Sequence, residues 1–469
     1  MRCTAAEATS CSGDVALVGS DMIKRMSYIS HARATLALGL PLVGSHLAQM
    51  ALHVTDTVLL GWYGVNELAA VVLATSTFFV IFILGAGFAQ AVLPMVATAI
   101  GRGDEAQVRR DTRMGMWLSI AFGVLTYPVF WWSEALLLGL GQRPEVSILG
   151  QDFLRTAGLG MIPALLVMVL KNYLAALERT QVVLWVTLAA VGVNLVLAYA
   201  LIFGHWGAPE LGVRGAAIAS VLVQSLTALA LAIYAGWLPE LRHFHLFQRF
   251  WRPDWQALHQ VFRLGWPIGV TSLAESGLFQ ATALMMGWIG TVELAAHGIT
   301  MEVAALSLMV HLGLSNAATV RAGRADGAGD RQGLRDAAKV AIALSICFGA
   351  VMVGLFLSFP VAIISLFLDE SKPQSAEIIA FGVTLLAMAA LFQMADAMQV
   401  MALGLLRAIK DTRVPMIAAA VSYWGIGIPC GYFLAFHAGM GGIGLWAGLV
   451  IGLVFAAVTM MWRFWHRVR

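Results

Sequence analysis

The amino-acid sequence predicts an all-α polytopic membrane protein, with twelve transmembrane helices arranged as two pseudo-symmetric six-helix bundles. Three observations support this fold class: long stretches without charge, one-sided placement of the basic residues, and an internal repeat. Of the 469 residues, 60% are hydrophobic and 12% are charged, whereas a soluble domain carries roughly 25% charged residues. This composition excludes a soluble globular enzyme.

The charge-free stretches locate the helices. No Asp, Glu, Lys or Arg occurs in five segments, at 68–101, 114–133, 215–239, 340–368 and 414–462. About 20 apolar residues are needed to cross a bilayer, so each segment holds at least one helix and the last holds two. The predicted helices lie at about 34–60, 66–98, 112–136, 150–176, 182–204, 211–237, 259–288, 292–320, 336–367, 374–406, 413–436 and 441–463.

Basic residues mark one face of the membrane. With twelve helices, 25 of the 29 Lys and Arg residues fall on the side that holds both termini, and the other side holds only Arg143, Arg155, Arg214 and Lys372. Loops rich in Lys and Arg stay on the cytoplasmic side, so both termini are predicted to be cytoplasmic and the membrane to be the plasma (cell inner) membrane. Segments 1–33 and 464–469 are predicted to be a disordered extension and a short tail.

An internal repeat defines the two bundles. At an offset of 226 positions, Gly39-Leu40-Pro41 aligns without gaps on Gly265-Trp266-Pro267. Six helices is an even number, so both halves insert in the same orientation, as in transporters with parallel repeats. The predicted domains are a first lobe at 34–237, a cytoplasmic connection at 238–258 and a second lobe at 259–463.

Paired prolines fall inside the first helix of each lobe, where Pro41 aligns on Pro267. A proline removes one intrahelical hydrogen bond and bends the helix. Close helix packing is an alternative explanation for such residues. We expect Pro41 and Pro267 to act as hinges when one lobe rocks against the other.

Four acidic residues lie within apolar helices rather than in loops: Asp56, Glu275, Glu302 and Asp396. An ionised carboxylate in lipid costs at least ~2.5 kcal/mol, so such groups face a cavity, a partner or water and are candidates for function. The repeat does not reproduce them; Glu275, for example, aligns on Gln49. Scaffold residues recur between lobes, so these acids are predicted to carry the function.

The chemistry of these acids suits exchange. Desolvation favours the protonated form of a carboxyl group, whereas a nearby cation favours the ionised form, so one acid can exchange a proton for a cation. We predict that Asp56, Glu275, Asp396 and Glu302 couple to such a cation, with Glu275 and Asp396 as the candidate Na⁺ ligands. A solvated helix end would also explain Asp56, and a hydrogen bond from Thr300 would also explain Glu302.

A cavity lined by aromatic and polar side chains is predicted between the lobes. Its candidate residues carry aromatic, thioether or amide groups that can contact a flat organic cation, and they are Asn194, Asn172, Trp62, Trp288, Met301 and Tyr423. Tryptophan also concentrates at the membrane surface, and asparagine also joins helices to each other. Each of these residues therefore has a structural alternative.

No sequence motif indicates an enzyme. The phosphate-binding loop Gly-x-x-x-x-Gly-Lys-Ser/Thr, the zinc motif His-Glu-x-x-His and the nucleophile motif Gly-x-Ser-x-Gly do not occur. We therefore expect no catalytic activity, no cofactor other than the coupling ion, no nucleic-acid partner and no obligate protein partner. The protein is expected to act as a monomer in the lipid bilayer.

Several motifs between positions 34 and 463 resemble, in order, those of the multidrug and toxic compound extrusion (MATE) family. They are Asp56-Thr57-Val58 followed by Gly61, Glu293-Leu294-Ala295-Ala296-His297, Val320-Arg321-Ala322-Gly323, and Asp396-Ala397-Met398-Gln399-Val400 followed by Gly404-Leu405-Leu406-Arg407. The resemblance implies a V-shaped pair of six-helix bundles that exports organic cations, many of them drugs or dyes, in exchange for Na⁺ or H⁺. It also implies that Asp56 is the acid of the first lobe, that Glu275 and Asp396 couple to the cation, and that Asn194 is a polar fifth-helix residue.

Two alternative functions remain. A lipid-linked precursor flippase of the same superfamily would have an arginine-rich cavity, and a channel or receptor would lack exchange stoichiometry. Glu302 resembles the additional glutamate of proton-coupled eukaryotic relatives. The four acids are compatible with either ion, so the sequence does not decide between Na⁺ and H⁺.

Overall fold

A computed structural model describes residues 27–139, 141–368 and 374–469 of the chain. Its regular secondary structure is helical, and no β-strand occurs within these three ranges. Positions 1–26 of the predicted N-terminal extension lie outside them, as does Lys372.

Twelve long helices run through the described ranges, which confirms the predicted all-α fold. They are α1 Tyr28–Tyr63, α2 Val65–Gly101, α3 Glu105–Trp131, α4 Pro144–Ala176, α5 Thr180–Phe203, α6 Gly212–Trp237, α7 Trp255–Ile289, α8 Thr291–Ala328, α9 Arg331–Ser358, α10 Ser375–Ala408, α11 Arg413–His437 and α12 Gly441–Val468. Short helices lie in the connections, at Ser133–Gly139, Pro239–Arg242 and Pro360–Ser365. All the long helices except α7, which contains Arg263 and Glu275, are apolar enough by composition to cross a membrane.

Several helices begin earlier than the hydrophobic pattern predicts. The start of α3 was predicted at 112, but the helix begins at Glu105, because Asp104 Oδ1 accepts a hydrogen bond from the backbone N–H of Gln107 at 2.9 Å. A side-chain oxygen at this position satisfies one of the free N–H groups of a helix start. The same role is played at α1, α7 and α9 by Ser27, Asp254 and Asp330. These polar caps extend the helices beyond their apolar spans.

The two lobes, α1–α6 and α7–α12, meet through contacts that repeat the 226-residue symmetry. Gly87 of α2 lies so close to Gly269 of α7 that a Cβ atom on Gly87 would overlap the Gly269 backbone. Equivalently, a Cβ atom on Gly313 of α8 would lie 2.7 Å from the backbone nitrogen of Val43 on α1. Only glycine permits this close backbone approach, so the glycines align the two lobes.

The lobes also touch at the end of the molecule where α1 begins and where α2 and α8 end, here called the basic end. A Cβ atom on Gly101 would overlap the carbonyl oxygen of Arg324, and one on Gly327 would overlap that of Thr98. These two contacts are again equivalent under the repeat. The lobes are therefore joined from the middle of their helices to the basic end.

The outer surface of the helices is apolar. Leu125 is 77% exposed and Val351 is 67% exposed, although each lies inside a long helix and in a charge-free stretch. A soluble monomer rarely carries a large apolar surface, whereas lipid chains cover such a surface without cost. The exposed side chains therefore agree with a multi-span membrane protein.

Both predicted hinge prolines lie inside long helices, Pro41 in α1 and Pro267 in α7. The helix with the strongest departure from α-geometry is α11, in which π-helical turns at Val421–Gly427 and Phe433–His437 flank Pro429. Wider turns of this kind accommodate a missing intrahelical hydrogen bond. Hinge motion at Pro41 and Pro267 stays a prediction.

Candidate functional site

One of the four predicted acids, Asp56, lies in the first lobe. Asp56 of α1 is half-buried, and its Oδ1 accepts a hydrogen bond of 2.7 Å from Nδ2 of Asn194 on α5. Ser220 of α6 donates to Oδ2 at 3.4 Å. Neither donor carries a charge, so these contacts orient the carboxylate without neutralising it.

The second lobe holds an acid pair. Asp396 of α10 is 1% exposed, and neither of its carboxylate oxygens has a hydrogen-bond partner in the described part of the chain. Glu275 of α7 is half-buried and lies within electrostatic range of Asp396. Two ionised carboxylates within electrostatic range repel each other unless a proton or a cation lies with them.

Two glutamine side chains flank Asp396 on α10. Gln393 and Gln399 each lie three residues away, about one helical turn, and their Oε1 atoms are also buried without a partner in the described ranges. Their amide nitrogens are occupied: Gln393 Nε2 donates to Nε2 of His311 at 2.8 Å, and Gln399 Nε2 donates to the hydroxyl of Tyr423 at 2.6 Å. The helix thus presents four buried oxygens that lack donors.

This set of oxygens fits a small cation or a proton. Carboxylate and amide oxygens are the ligands that hard metal ions prefer. Within the described ranges, no group of three or more His, Cys, Asp or Glu side chains could hold a metal ion. A cation bound here would therefore need the amide oxygens of Gln393 and Gln399 in addition to carboxylate oxygens.

Two basic side chains reach further into the lobes than the sequence predicts. The sequence places both Arg407 and Lys171 among the cytoplasmic basic residues. In the structure, Arg407 Nη1 donates to Oε1 of Gln90 at 3.0 Å and lies within electrostatic range of Glu275. Lys171 Nζ donates to Oε1 of Gln49 at 3.2 Å. Because Gln49 and Glu275 are equivalent in the repeat, each lobe places one basic group near the same position.

Of the predicted cavity residues, Tyr423 lies beside the acid pair of the second lobe, here called the acid centre (Glu275, Asp396, Gln393 and Gln399). The other predicted cavity residues lie elsewhere. Tyr423 is fully buried, and its hydroxyl accepts the hydrogen bond of Gln399, which lies one helical turn from Asp396. Asn172 donates to the backbone carbonyl of residue 89 at 2.8 Å and so joins α4 to α2. Asn172 therefore joins two helices, which is the alternative role that the sequence allowed for it.

The remaining predicted residues lie apart from the acid centres. Glu302 is exposed on α8, and Met301 beside it packs partly against the core of the second lobe. Trp62 and Trp288 are 71% and 61% exposed near the ends of α1 and α7 that lie away from the basic end. Their roles in coupling and in substrate contact stay predictions.

Several polar residues near the acids were not identified from the sequence. They are Gln393, Gln399 and His311. Their side chains do not carry the fixed charge that makes a carboxylate conspicuous in an apolar helix. The available signal was the spacing of Gln393 and Gln399 three residues to either side of Asp396. Asp111 was also missed; it is 1% exposed on α3, and its Oδ1 accepts a 2.6 Å hydrogen bond from Gln107.

Twelve long helices in two pseudo-symmetric lobes, with acids inside both, define a multi-span membrane transporter. The MatE family model matches residues 41–200 and 267–433, once in each lobe. The chain belongs to this family, the MATE transporters.

Relatives and solved structures agree. The probable multidrug resistance protein NorM of Rhizobium meliloti (strain 1021) is 48% identical over 456 residues, which cover 97% of each chain. A protein of the same description in Agrobacterium fabrum (strain C58 / ATCC 33970) is 45% identical over 442 residues, covering 93% of this chain and 94% of its own. A crystal structure of MATE in complex with MaL6 has the same fold, with a TM-score of 0.84 at 21% identity, covering 93% of this chain and 96% of its own.

Proposed function

We propose that this protein exports organic cations, including drugs, across the plasma membrane in exchange for Na⁺ or H⁺. The observation that carries the proposal is Asp396, a carboxyl group buried in a membrane helix whose two oxygens lack hydrogen-bond donors in the described part of the chain. A buried charge without a partner is costly, so this group requires a proton or a cation. The multidrug resistance names of the NorM relatives support drugs as the exported compounds.

The acid pair supplies a physical basis for exchange. When Asp396 and Glu275 are both ionised they attract a cation, and when a proton or Na⁺ binds, that attraction falls. Two ligands that compete for the same charge lower each other's affinity. Entry of the coupling ion therefore favours release of the organic cation, and binding of the organic cation favours release of the ion.

Asp56 gives the first lobe its own negative group. The hydrogen bonds from Asn194 and Ser220 hold the carboxylate in one orientation and leave its charge in place. We propose that Asp56 contacts the positive group of the substrate or of the coupling ion from the first lobe, while Glu275 and Asp396 act from the second. The acids then face the substrate path from both lobes.

The way the lobes meet supports the proposal of alternating access. The contacts described between the lobes lie between the middle of the helices and the basic end, at pairs such as Gly87 with Gly269 and Gly101 with Arg324. We infer that in this state a cleft between the lobes opens toward the opposite end. If the basic end is cytoplasmic, as the distribution of Lys and Arg predicts, the cleft opens to the outside.

The proposal is tested by drug accumulation in cells that lack their own major exporters. Asp396→Asn removes the ionisable group and keeps the side-chain volume, so we expect export of a fluorescent organic cation to be lost while the protein remains inserted and folded. Asp326→Asn, an exposed site near the end of α8, is the matched control and retains export. Unchanged drug resistance in Asp396→Asn would sink the proposal.

One observation favours a second candidate, the lipid-linked precursor flippase. Such a protein must bind phosphate groups, and Lys171 and Arg407 place two basic groups within the lobes. A flippase would move a phosphorylated lipid between the leaflets, and this movement would not depend on a drug. In reconstituted vesicles, scrambling of a fluorescent lipid-phosphate probe together with an absence of drug efflux would favour this candidate.

A further inference from the structure

A pocket lies between the two lobes at the basic end, and neither the acids nor the substrate path accounts for it. Its volume is about 760 Å³. The first lobe contributes Ala34 of α1 and the turn between α4 and α5, with Glu178 and Arg179; the second lobe contributes Arg321 and Arg324 of α8. Three guanidinium groups from two lobes therefore line one pocket.

The arginines of α8 are only partly neutralised. Arg321 donates from Nη1 to the carbonyl oxygen of His31 at 2.9 Å and from Nη2 to Nδ1 of the same residue at 2.7 Å. Neither of these acceptors carries a negative charge. Arg324 Nη1 donates to Oε1 of Glu178 at 2.6 Å, but its Nε is buried and has no hydrogen-bond partner in the described ranges. The charge of Arg321 is therefore not neutralised by its hydrogen-bond partners, whereas the charge of Arg324 is paired with Glu178.

The third arginine is accessible. Arg179 forms an ion pair with Glu240, and 43% of the Arg179 side chain remains exposed. A guanidinium group matches a phosphate or carboxylate with two parallel N–H donors. The pocket has three guanidinium groups, and two carboxylates, those of Glu178 and Glu240, pair with them. The net charge around the pocket is therefore positive, which suits a phosphate.

The surroundings of the pocket place it at the surface of the bilayer. Tyr234 of α6 lines it, and Trp237, near the end of the same helix, is 81% exposed. Trp185, five residues after the start of α5, is 67% exposed. Aromatic side chains of this kind concentrate at the level of lipid head groups, so an ion in the pocket lies at the depth of a lipid phosphate, beside apolar helix surface.

We propose that this pocket binds the phosphate head group of an anionic phospholipid. Arg321 and Arg324 hold the phosphate from the second lobe and Arg179 holds it from the first, while the acyl chains lie along the exposed apolar surface near Trp185. Basic pockets between transmembrane helices on the cytoplasmic side bind such head groups in general.

A lipid bound in this pocket would affect how the two lobes move relative to each other. Because the arginines come from both lobes, a phosphate between them stabilises the state in which the lobes meet at the basic end, by its higher affinity for that state. This consequence rests on the proposed alternation of the lobes, but the binding does not. Asp56 lies 22 residues after Ala34 on α1, about 33 Å away at 1.5 Å per residue, so lipid binding and export can be tested separately.

The test measures the thermal unfolding midpoint of the purified full chain in detergent, without drug or ion gradient. The protein is titrated with phosphatidylglycerol, with phosphatidylcholine of the same acyl chains, and with inorganic phosphate. A ligand that binds only the folded state raises the midpoint. We expect phosphatidylglycerol to raise it most, and Arg321→Gln and Arg179→Gln each to weaken the apparent affinity about fivefold, the effect of one basic group at a membrane surface.

Matched variants separate the pocket from the general basic surface. Arg331→Gln makes the same charge change at an exposed site of the basic end and keeps the wild-type affinity. Arg179→Gln alters an accessible side chain, so it remains informative if Arg321→Gln fails to fold. The proposal is overturned if phosphatidylcholine stabilises as much as phosphatidylglycerol, or if Arg179→Gln binds as wild type does. Full stabilisation by inorganic phosphate alone would overturn the lipid assignment and leave a soluble anion.

Discussion

At the scale of single residues, the acid centre of the second lobe depends on the orientation of two amides. Gln393 and Gln399 can present oxygen toward a cation only while His311 and Tyr423 hold their nitrogens. Asp396 itself was predicted from the sequence, because a carboxylate stands out in an apolar helix. The amides were not, because glutamine carries no charge and its orientation depends on partners from other helices.

Tyr423→Phe tests the role of this orientation. The substitution removes the acceptor for Gln399 Nε2 and keeps the ring, so the amide can rotate. A net hydrogen bond is worth about 1 kcal/mol, and we expect the concentration of coupling ion that gives half-maximal export to rise about fivefold, with little change in the maximal rate. Tyr432→Phe, on a half-exposed part of the same helix, is the control. Identical ion dependence in both variants would refute the orienting role.

The two asparagines should differ in the kind of defect they produce. Asn194→Ala removes the 2.7 Å donor to Asp56, and we expect reduced drug export from a stable protein. Asn172→Ala removes a hydrogen bond to the backbone of α2, and we expect a lower unfolding midpoint with the drug affinity of the remaining folded protein unchanged. Drug binding and thermal unfolding measured on both variants distinguish these outcomes, and a reversed pattern would contradict both assignments.

At the scale of helices, charge-free stretches predicted the number of elements, whereas capping residues decided where they begin. The sequence placed the start of α9 at 336, and the structure places it at Arg331 behind the cap Asp330. The hydrophobic pattern assigns the charged residues of a first helical turn to the preceding loop. A helix can nevertheless extend beyond its apolar span, so its true start lies earlier. The glycine contacts between lobes could not be predicted, since most glycines in membrane helices only permit packing.

Gly327→Ala tests whether backbone contact joins the lobes at the basic end. Alanine normally favours a helix over glycine by about 1 kcal/mol, but here its Cβ would overlap the carbonyl oxygen of Thr98. We expect the lobes to separate at this end, measured as a longer distance between spin labels at positions 102 and 331. Gly354→Ala, where no heavy atom lies near the added Cβ, should leave the distance unchanged. An unchanged distance in Gly327→Ala would contradict the close contact.

The ion pair between Arg110 of α3 and Asp254 at the start of α7 predicts a dependence on pH. The hydrogen bond from Arg110 holds the pKa of the Asp254 carboxyl below its usual value. A lowered pKa in the folded state gives stability that is present above the usual Asp pKa of about 3.9 and is lost as pH falls through the folded value.

The measurement for this ion pair is the unfolding midpoint between about pH 6 and pH 3, compared between wild type and Asp254→Asn. Asparagine caps a helix as well as aspartate does, so the variant removes the charge and keeps the cap. We expect the midpoint of the wild type to fall more steeply with acid, by less than about 1 kcal/mol because Arg110 is 37% exposed. Parallel curves would show that the pair contributes nothing.

At the scale of the whole molecule, the internal repeat predicted the two-lobed architecture from the sequence alone. The structure agrees, because Gly101 and Gly327 make equivalent contacts across the lobes. The acids do not follow the symmetry: Glu275 aligns on Gln49, and the pair with Asp396 occurs in one lobe. In the proposed exchange, the symmetric scaffold would let the lobes rock, and the asymmetric charges would give each lobe a different role.

The most direct test of this account is efflux of a fluorescent organic cation from proteoliposomes, with a Na⁺ gradient and a pH gradient imposed separately. The account predicts that at least one gradient drives efflux, that the driving ion moves in the opposite direction, and that Asp396→Asn abolishes both movements. Efflux that needs neither gradient, or that persists in Asp396→Asn, would contradict the central claim that a buried carboxylate exchanges a small cation for the substrate.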